Sequence, residues 1–303
     1  MTRTASFDIG GSKIEIARVA VDGTLSRRAT RPTPHGSWAD FADALAELIE
    51  ETGGADRVGA SIAGTVDPAT GLAKAANIPA ITGRPIAAAL AERLAMPVKV
   101  GNDADCFALA EAMVGAGRGL PIVFGLILGT GVGGGLVVQG RLVRGAYGVT
   151  GEWGHGPVLA DAVRQRGIPL TPCGCGQSGC VDTYGSARGL ERIHLGLTGE
   201  ARTSHAITAA WHAGEAAATA TIDVFIELMT GPLAMIVNTL GPSLIPVGGG
   251  LSSDAVLLAR IDAALRARVL ARYERAIIVP GTTRGASGLI GAAMLAAEPD
   301  ERS

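Results

Sequence analysis

The chain of 303 residues is short of cysteine, of aromatic side chains and of excess charge. Its 26 Lys and Arg against 28 Asp and Glu leave a formal net charge of −2, so no basic stripe can neutralise phosphates, which argues against a nucleic-acid binder. No apolar run reaches membrane-spanning length without a glycine or a charge. The amino-terminal Met-Thr-Arg-Thr-Ala-Ser-Phe-Asp also lacks the apolar core of a secretory signal. A cytoplasmic protein with no membrane partner and small-molecule ligands is expected. What the chain has in abundance is glycine, at 44 residues. With so few rings, loops are expected to approach ligands through the backbone, which glycine permits. At this length, with 48% hydrophobic residues, one core commonly splits into two, and two domains are expected.

Three of the four cysteines, Cys173, Cys175 and Cys180, fall within Cys-Gly-Cys-Gly-Gln-Ser-Gly-Cys, and His155 precedes them in Gly-Glu-Trp-Gly-His. Together they read as a Cys3His zinc site on a glycine-rich knuckle. Disulfide pairing would leave one of the three over, and adjacent Cys-x-Cys pairs bridge poorly. Burial as small apolar residues is the other alternative. Four protein ligands leave no open position for water, so the metal would be structural and would hold Glu152 and Asp182 rigidly. Cys106 lies in an apolar helical run and reads as core.

Residues 3–9 and 14–20 read as a hairpin around Gly10-Gly11, ended by the turn pair Asp22-Gly23. Ser37 then caps an amphipathic helix marked by Trp38, Phe41, Leu45, Leu48 and Ile49 and closed near Gly53-Gly54. Strand 57–62, helix 86–95, strand 97–101 and a helix from Ala104 to about Val114 follow. The second half repeats the first: strand 122–128 ends in Gly129-Thr130-Gly131, a return strand covers 135–138, and Gln139-Gly140 makes its turn. Helices at about 186–195, 205–213, 215–240, 253–270 and 287–296, with strands 243–247 and 276–279, complete the reading. The domains expected are 1–118 joined by 285–303, and 119–284 carrying the cysteine segment. His194, His205 and His212 read as surface or cap residues, Trp153 as packing, and Tyr147 and Tyr184 as ambiguous.

Gly129-Thr130-Gly131-Val132-Gly133-Gly134 satisfies a dinucleotide fingerprint in form, yet a strand follows where a helix is needed. A tight hairpin whose backbone N–H groups and Thr130 hydroxyl line a phosphate pocket fits better. Asp8, Gly10, Gly11, Ser12 and Lys13 repeat the device. Asp8 would hold Mg²⁺ through water, with Lys13 available as a cation. Two ordinary glycine turns are the alternative. Gly248, Gly249 and Gly250, at a strand end before a helix that Ser252 or Ser253 could cap, suit an adenosine seat or a plain turn. Asn102-Asp103 at a strand end reads equally as an N-cap pair or as a reactive acid.

Phe-Asp-Ile-Gly-Gly-Ser-Lys-Ile at 7–14, Gly-Asn-Asp-Ala-Asp-Cys-Phe-Ala-Leu at 101–109, Leu-Ile-Leu-Gly-Thr-Gly-Val-Gly-Gly-Gly-Leu-Val at 126–137, and Gly-Glu-Trp-Gly-His with its knuckle, resemble the ROK family of sugar kinases and repressors over nearly the whole length. The resemblance implies an α/β, actin-like ATPase (ribonuclease H-like) fold of two similar domains around a cleft, a homodimer, and ATP-dependent phosphorylation of a hexose 6-hydroxyl. It implies Asp103 as catalytic base and sugar contacts from Gly64, Asn77, Asn102, Asp103, Glu152, His155 and Asp182. Two departures stand out: Asp182 where the family commonly has glutamate, and Ala63 where it has proline before Gly64. Residues 76–80 resemble members acting on N-acetylglucosamine more than glucokinases. Glucose, fructose and N-acetylmannosamine remain alternatives within the family. A sugar-sensing regulator is disfavoured because Asp8 stands too near the start for a DNA-binding segment ahead of it.

Overall fold

A computed structural model describes residues 2–75, 77–146, 148–158 and 163–299. The chain divides into two compact units, Met1–Gly119 with Gly135–Thr150 and Thr282–Ser303, and Leu120–Gly134 with Gly151–Gly281. Beside the sequence-based boundary at 118–119, this division assigns the segment 135–150 to the first unit.

In the first unit, β1 (Thr4–Ile9) pairs antiparallel with β2 (Lys13–Val19), and β2 with β3 (Leu25–Pro32). After α1 (Trp38–Glu51), β4 (Arg57–Ile62) runs parallel to β1. A small ribbon of β5 (Thr65–Val66) and β6 (Ala73–Lys74), then α2 (Ile86–Leu94), lead to β7 (Val98–Asn102), parallel to β4. The sheet order is β3-β2-β1-β4-β7. Central β1 buries Ala5, Phe7 and Ile9. Edge strand β3 has no counterpart in the sequence reading, because its Leu-Ser-Arg-Arg-Ala-Thr-Arg-Pro is mostly exposed and shows no apolar alternation. Its arginines engage acids instead: Arg28 pairs with Glu15, and Arg31 with Glu47 and Glu51 of α1. Charge of this kind blunts an edge against further strand addition.

Helix α1 starts where Ser37 accepts a hydrogen bond from Asp40 N at 3.1 Å, a cap that contributes about 1 kcal/mol. It buries Phe41, Leu45, Leu48 and Ile49 in the core of this unit. Each such side chain contributes roughly 1.5–3 kcal/mol on burial. Helix α3 (Asp103–Met113) follows β7 directly.

The second sheet uses β8 (Ile122–Leu128), β9 (Val132–Val138), β10 (Arg141–Leu142), β11 (Ile245–Gly248) and β12 (Ile278–Pro280), in the order β10-β9-β8-β11-β12. That order matches the first sheet position by position, so the repeat seen in the sequence is a repeat of topology. Gln139 and Gly140 both have positive φ, 50° and 74°, as a two-residue hairpin turn requires.

The second unit carries α4 (Val181–Tyr184), α5 (Ala187–Thr198), α6 (Ser204–His212), α7 (Ala216–Leu240) and α8 (Ala255–Arg266). Among the described residues α7 alone is long and apolar enough to cross a membrane, yet it packs against α5, α6 and α8 and is mostly buried. It also carries Asp223 and Glu227. The helix is a core element. The last helix, α9 (Ser287–Ala297), lies in the first unit against β1, β4 and α3.

His194 differs from its sequence reading: it is fully buried on α5. The Thr221 hydroxyl donates to Ala217 O at 2.9 Å, so its oxygen accepts from His194 Nδ1–H at 2.8 Å, leaving Nε2 buried with no partner among the described residues. Burial, then the positive charge of Arg202, hold the imidazole pKa below its usual value. The folded state therefore binds this proton less readily than the unfolded chain. His194 favours folding above its unfolded pKa, and that advantage is lost as pH falls below about 6.5. Denaturant unfolding across pH 7.5 to 5 is expected to show wild type losing stability relative to His194→Asn, whose amide nitrogen takes the place of Nδ1 beside Thr221. Parallel pH curves for the two proteins would contradict this account.

Candidate active site

Ile9, Ile62 and Asn102 lie in register across the parallel strands β1, β4 and β7. Those strands end level, and Gly10-Gly11, Ala63-Gly64 and Asp103 line up along one carboxyl edge, where open α/β sheets take their ligands. The Gly10–Lys13 turn closes through Gly10 N to Lys13 O at 3.0 Å. Buried Thr33, the residue after β3, holds it, its N–H donating to Ser12 O at 3.1 Å and its hydroxyl to Gly10 O at 2.7 Å. Asn77 packs onto this turn so closely that a Cβ at Gly11 would lie 2.6 Å from its own Cβ. Gly11, Ser12, His35, Asn77 and Pro79 line a pocket of about 580 Å³.

Asn102 is the N-cap of α3, with Oδ1 accepting from Ala104 N at 2.8 Å while Nδ2 donates to Gly64 O at the same distance. Asp103 Oδ1 also accepts from Ala104 N, at 2.9 Å, and the side chain is exposed. Capping and an exposed carboxylate coexist here, because Asn102 and Asp103 share Ala104 N. Asp8 sits opposite Ser61 across the parallel pair. Burial pushes its carboxyl pKa up, the Ser61 hydroxyl pulls it back, and the negative charge of Asp103 adds to the rise. Gly288, at the start of α9, abuts Asp8: a Cβ there would lie 2.4–2.6 Å from the carboxylate atoms. Asp8 therefore faces the positive end of a helix dipole. A crowded carboxylate beside a second acid suits a divalent cation, so Asp8 fits a water-bridged Mg²⁺.

In the second unit β8 and β11 are parallel, with Val247 opposite Leu126 and Gly248 opposite Ile127. Their glycine loops consequently meet, a Cβ on Gly129 lying 3.9 Å from Gly249 Cα. Gly129 N donates to Gly131 O at 3.0 Å, and Thr130 is exposed at the tip. Gly249 has φ of 84°, with no room for a Cβ, which would fall 2.4 Å from Leu128 O. A 3₁₀ turn, Gly250–Ser253, separates this loop from α8. Asp254 caps α8 through Leu257 N at 3.0 Å, whereas the sequence reading gave that role to Ser252 or Ser253. Ser252 instead donates to Gly249 O at 2.7 Å, inside the loop.

The donor atoms of His155, Cys173, Cys175 and Cys180 all lie within 4.8 Å of one another. Cys173 Sγ is 3.5 Å from His155 Nδ1, and Cys175 Sγ is 3.6 Å from Cys180 Sγ. Tetrahedral zinc with its usual bond lengths sets S···N near about 3.6 Å and S···S near about 3.8 Å, so the donor set fits the ion. His155 Nε2 stands 3.4 Å from Glu152 Oε2, the arrangement in which a carboxylate orients a metal-binding imidazole. Backbone hydrogen bonds from Val158 N to Gly179 O and from Val181 N to Gly156 O tie the histidine arm to the cysteine arm. Tyr184, fully buried, donates to Pro169 O at 2.6 Å and accepts from Thr171 N at 2.7 Å, which fixes the approach to Cys173.

The ROK family profile matches residues 4–299. The chain belongs to the ROK family. It is 37% identical over 295 residues to an N-acetyl-D-glucosamine kinase of Salmonella newport (strain SL254), covering 95% of this chain and 97% of that one. Among solved structures it resembles a ROK hexokinase from Thermus thermophilus, with a TM-score of 0.85 at 29% identity over 97% of this chain and 98% of that one. A ROK family glucokinase from Streptomyces griseus in complex with glucose and AMPPNP gives 0.75 at 29% identity, covering 97% and 99%. The fold is the actin-like ATPase fold.

Within this ROK chain the residues expected to act divide cleanly. Asp8, Gly10, Gly11, Ser12, Lys13, Gly64, Asn77, Asn102 and Asp103 belong to the first unit, and all but the exposed Lys13 gather at or beside the carboxyl edge of its sheet. Lys13 places its ammonium 3.0 Å from Glu15 Oε2, paired within β2. Gly129, Thr130, Gly131, Gly133, Gly248, Gly249, Gly250, Glu152, His155, Asp182 and the three cysteines belong to the second unit. Asp182 Oδ1 accepts from Val132 N at 2.7 Å, which engages it on the glycine hairpin. Sequence reasoning passed over Thr33 and His35, whose only signal was polarity just after a strand that it also missed. Purified protein is expected to carry about one zinc per chain, and Cys173→Ser to lose it, with segment 169–181 becoming sensitive to protease. Full protease resistance in metal-free protein would contradict a structural metal.

Proposed function

We propose that the protein transfers the γ-phosphoryl group of ATP to the 6-hydroxyl of N-acetyl-D-glucosamine. Relatives of that name covering 95% of the chain support the substrate, and the exposed Asp103 carboxylate at the carboxyl edge supports the chemistry. Asp103 accepts the hydroxyl proton as the sugar oxygen attacks the γ-phosphorus. The bond to the β,γ-bridging oxygen breaks, and ADP leaves with that electron pair. Because a loose transition state needs positioning and charge neutralisation more than reactive groups, one acid among backbone donors suffices.

Gly129–Gly133 and Gly10–Lys13 supply N–H groups to the nucleotide phosphates, and Gly248–Gly250 the adenosine seat. Mg²⁺, held by Asp8 through water, would supply charge neutralisation at the phosphates. Gly64, Asn77, Glu152 and His155 hydrogen-bond sugar hydroxyls, while Asn102 acts through Gly64, on which its Nδ2 is engaged. With Nδ1 turned to the cysteines, His155 keeps its single Nε2–H for a sugar oxygen, with Glu152 3.4 Å away to orient the ring. Small Ala80 and Gly83 follow Asn77 in sequence, and with Pro79, which borders the Asn77 pocket, they line an adjoining hollow that would admit an N-acetyl group.

A coupled ADP-release assay over N-acetylglucosamine, N-acetylmannosamine, glucose, mannose and fructose is expected to give the highest kcat/KM with N-acetylglucosamine. Asp103→Asn should fold normally and lower kcat by roughly 10² to 10⁴ fold. Unchanged turnover in that variant removes the base assignment. Turnover confined to glucose or fructose would remove the substrate assignment and leave the kinase standing.

A further inference from the structure

The hairpin at Gly129–Val132 is held at both ends by the segment that follows Cys180. At one end Asp182 Oδ1 accepts from Val132 N at 2.7 Å, and at the other Ala187 N donates to Gly129 O at 2.9 Å. The carboxylate also seats against Gly131, where a Cβ would lie 2.7 Å from Oδ1. Ser186, whose hydroxyl donates to Asp182 O at 2.9 Å and accepts from Gly189 N at 3.1 Å, locks the short stretch between those two tethers. From the histidine arm, Trp153 Nε1–H donates to Gly133 O at 3.3 Å, and Gly154 fits against Val132 O, 2.6 Å from where a Cβ would stand. The clamp therefore begins two residues after one candidate metal ligand and reaches to one residue before another.

We propose that Asp182 is a positioning residue for the glycine hairpin, transmitting the rigidity of the Cys/His knuckle to the nucleotide-phosphate loop, and that it is not a sugar ligand. The proposal rests on the reading of that hairpin as the phosphate loop. Its physical basis is that a carboxylate accepting a backbone N–H makes a charge-assisted hydrogen bond, which fixes the peptide planes on either side. The hairpin's remaining N–H groups then point in set directions before the nucleotide arrives, and that preorganisation is recovered as affinity. The aspartate is one methylene shorter than the glutamate common at this position in the family, and at its length one oxygen is engaged on the loop.

Three proteins decide it: wild type, Asp182→Asn and Asp182→Ala. Nucleotide affinity is read by calorimetry with ADP and with AMPPNP in the absence of sugar, sugar affinity with N-acetylglucosamine alone, and the Val132 amide by hydrogen exchange. Asp182→Ala is expected to weaken ADP binding at least about tenfold and to lose Val132 protection, with sugar affinity within about twofold. Asp182→Asn, whose amide oxygen still accepts from Val132 N–H, should keep both protection and most of the nucleotide affinity. Sugar affinity falling in either variant while ADP binding holds would overturn the proposal in favour of a direct sugar contact. Unchanged behaviour in both variants would overturn it as well. If the alanine variant does not fold, Asp182→Ser, whose shorter side chain withdraws the acceptor from Val132 N, is read in its place with the same expected losses. Wild type that binds no nucleotide overturns the kinase reading itself, an outcome separate from loss in the variants alone.

Discussion

The register of the parallel strands is the constraint on which the site depends. Because Ile9, Ile62 and Asn102 are aligned, three separate loops begin at one level, and the same holds for β8 and β11 in the second sheet. A slip of one residue would turn every side chain on a strand to the other face. Asp8 would then leave Ser61 and the start of α9, and Asn102 could not reach Gly64. Burial of Phe7, Ile9, Val58, Ala60 and Ile62 within one core enforces that register, so packing energy in the sheet sets the geometry of the loops.

In the proposed site the loops would work chiefly through main-chain groups, which accords with a chain rich in glycine and short of reactive side chains. Backbone turns of this kind need external support. In the first unit Thr33 and Asn77 provide it; in the second it comes from Trp153, Asp182 and Ala187, which adjoin the ligands of the candidate metal centre. A chain with few aromatic residues thus places two of them, Trp153 and Tyr184, as buried hydrogen-bonding struts around that knuckle. A metal held by these four donors would be structural, and it would act through the residues that adjoin its ligands in sequence.

Much of this was legible before any coordinates. The hairpin periodicity, the Ser37 cap, the cysteine knuckle and the repeated strand-glycine-strand unit each carry a local signal, and local signals set the elements to within a few residues. β3 was missed because an edge strand rich in arginine has no apolar face to betray it. His194 was misread because histidine is usually a surface residue and no partner stands near it in sequence, while its burial is decided by α7, distant in sequence. The cap of α8 moved to Asp254 because the intervening 3₁₀ turn consumed Ser252 and Ser253. The attachment of Asp182 to Val132, 50 residues away, leaves no local trace, since nothing near either residue encodes the other.

The most direct test of the central claim is amide hydrogen exchange on the intact chain, with AMPPNP and N-acetylglucosamine added singly and together. Ligand binding at the strand ends predicts protection at 9–13, 129–134 and 248–253 with nucleotide, and at 62–64 and 101–105 with sugar. Protection elsewhere, with those five segments exchanging as in the free protein, would contradict the account.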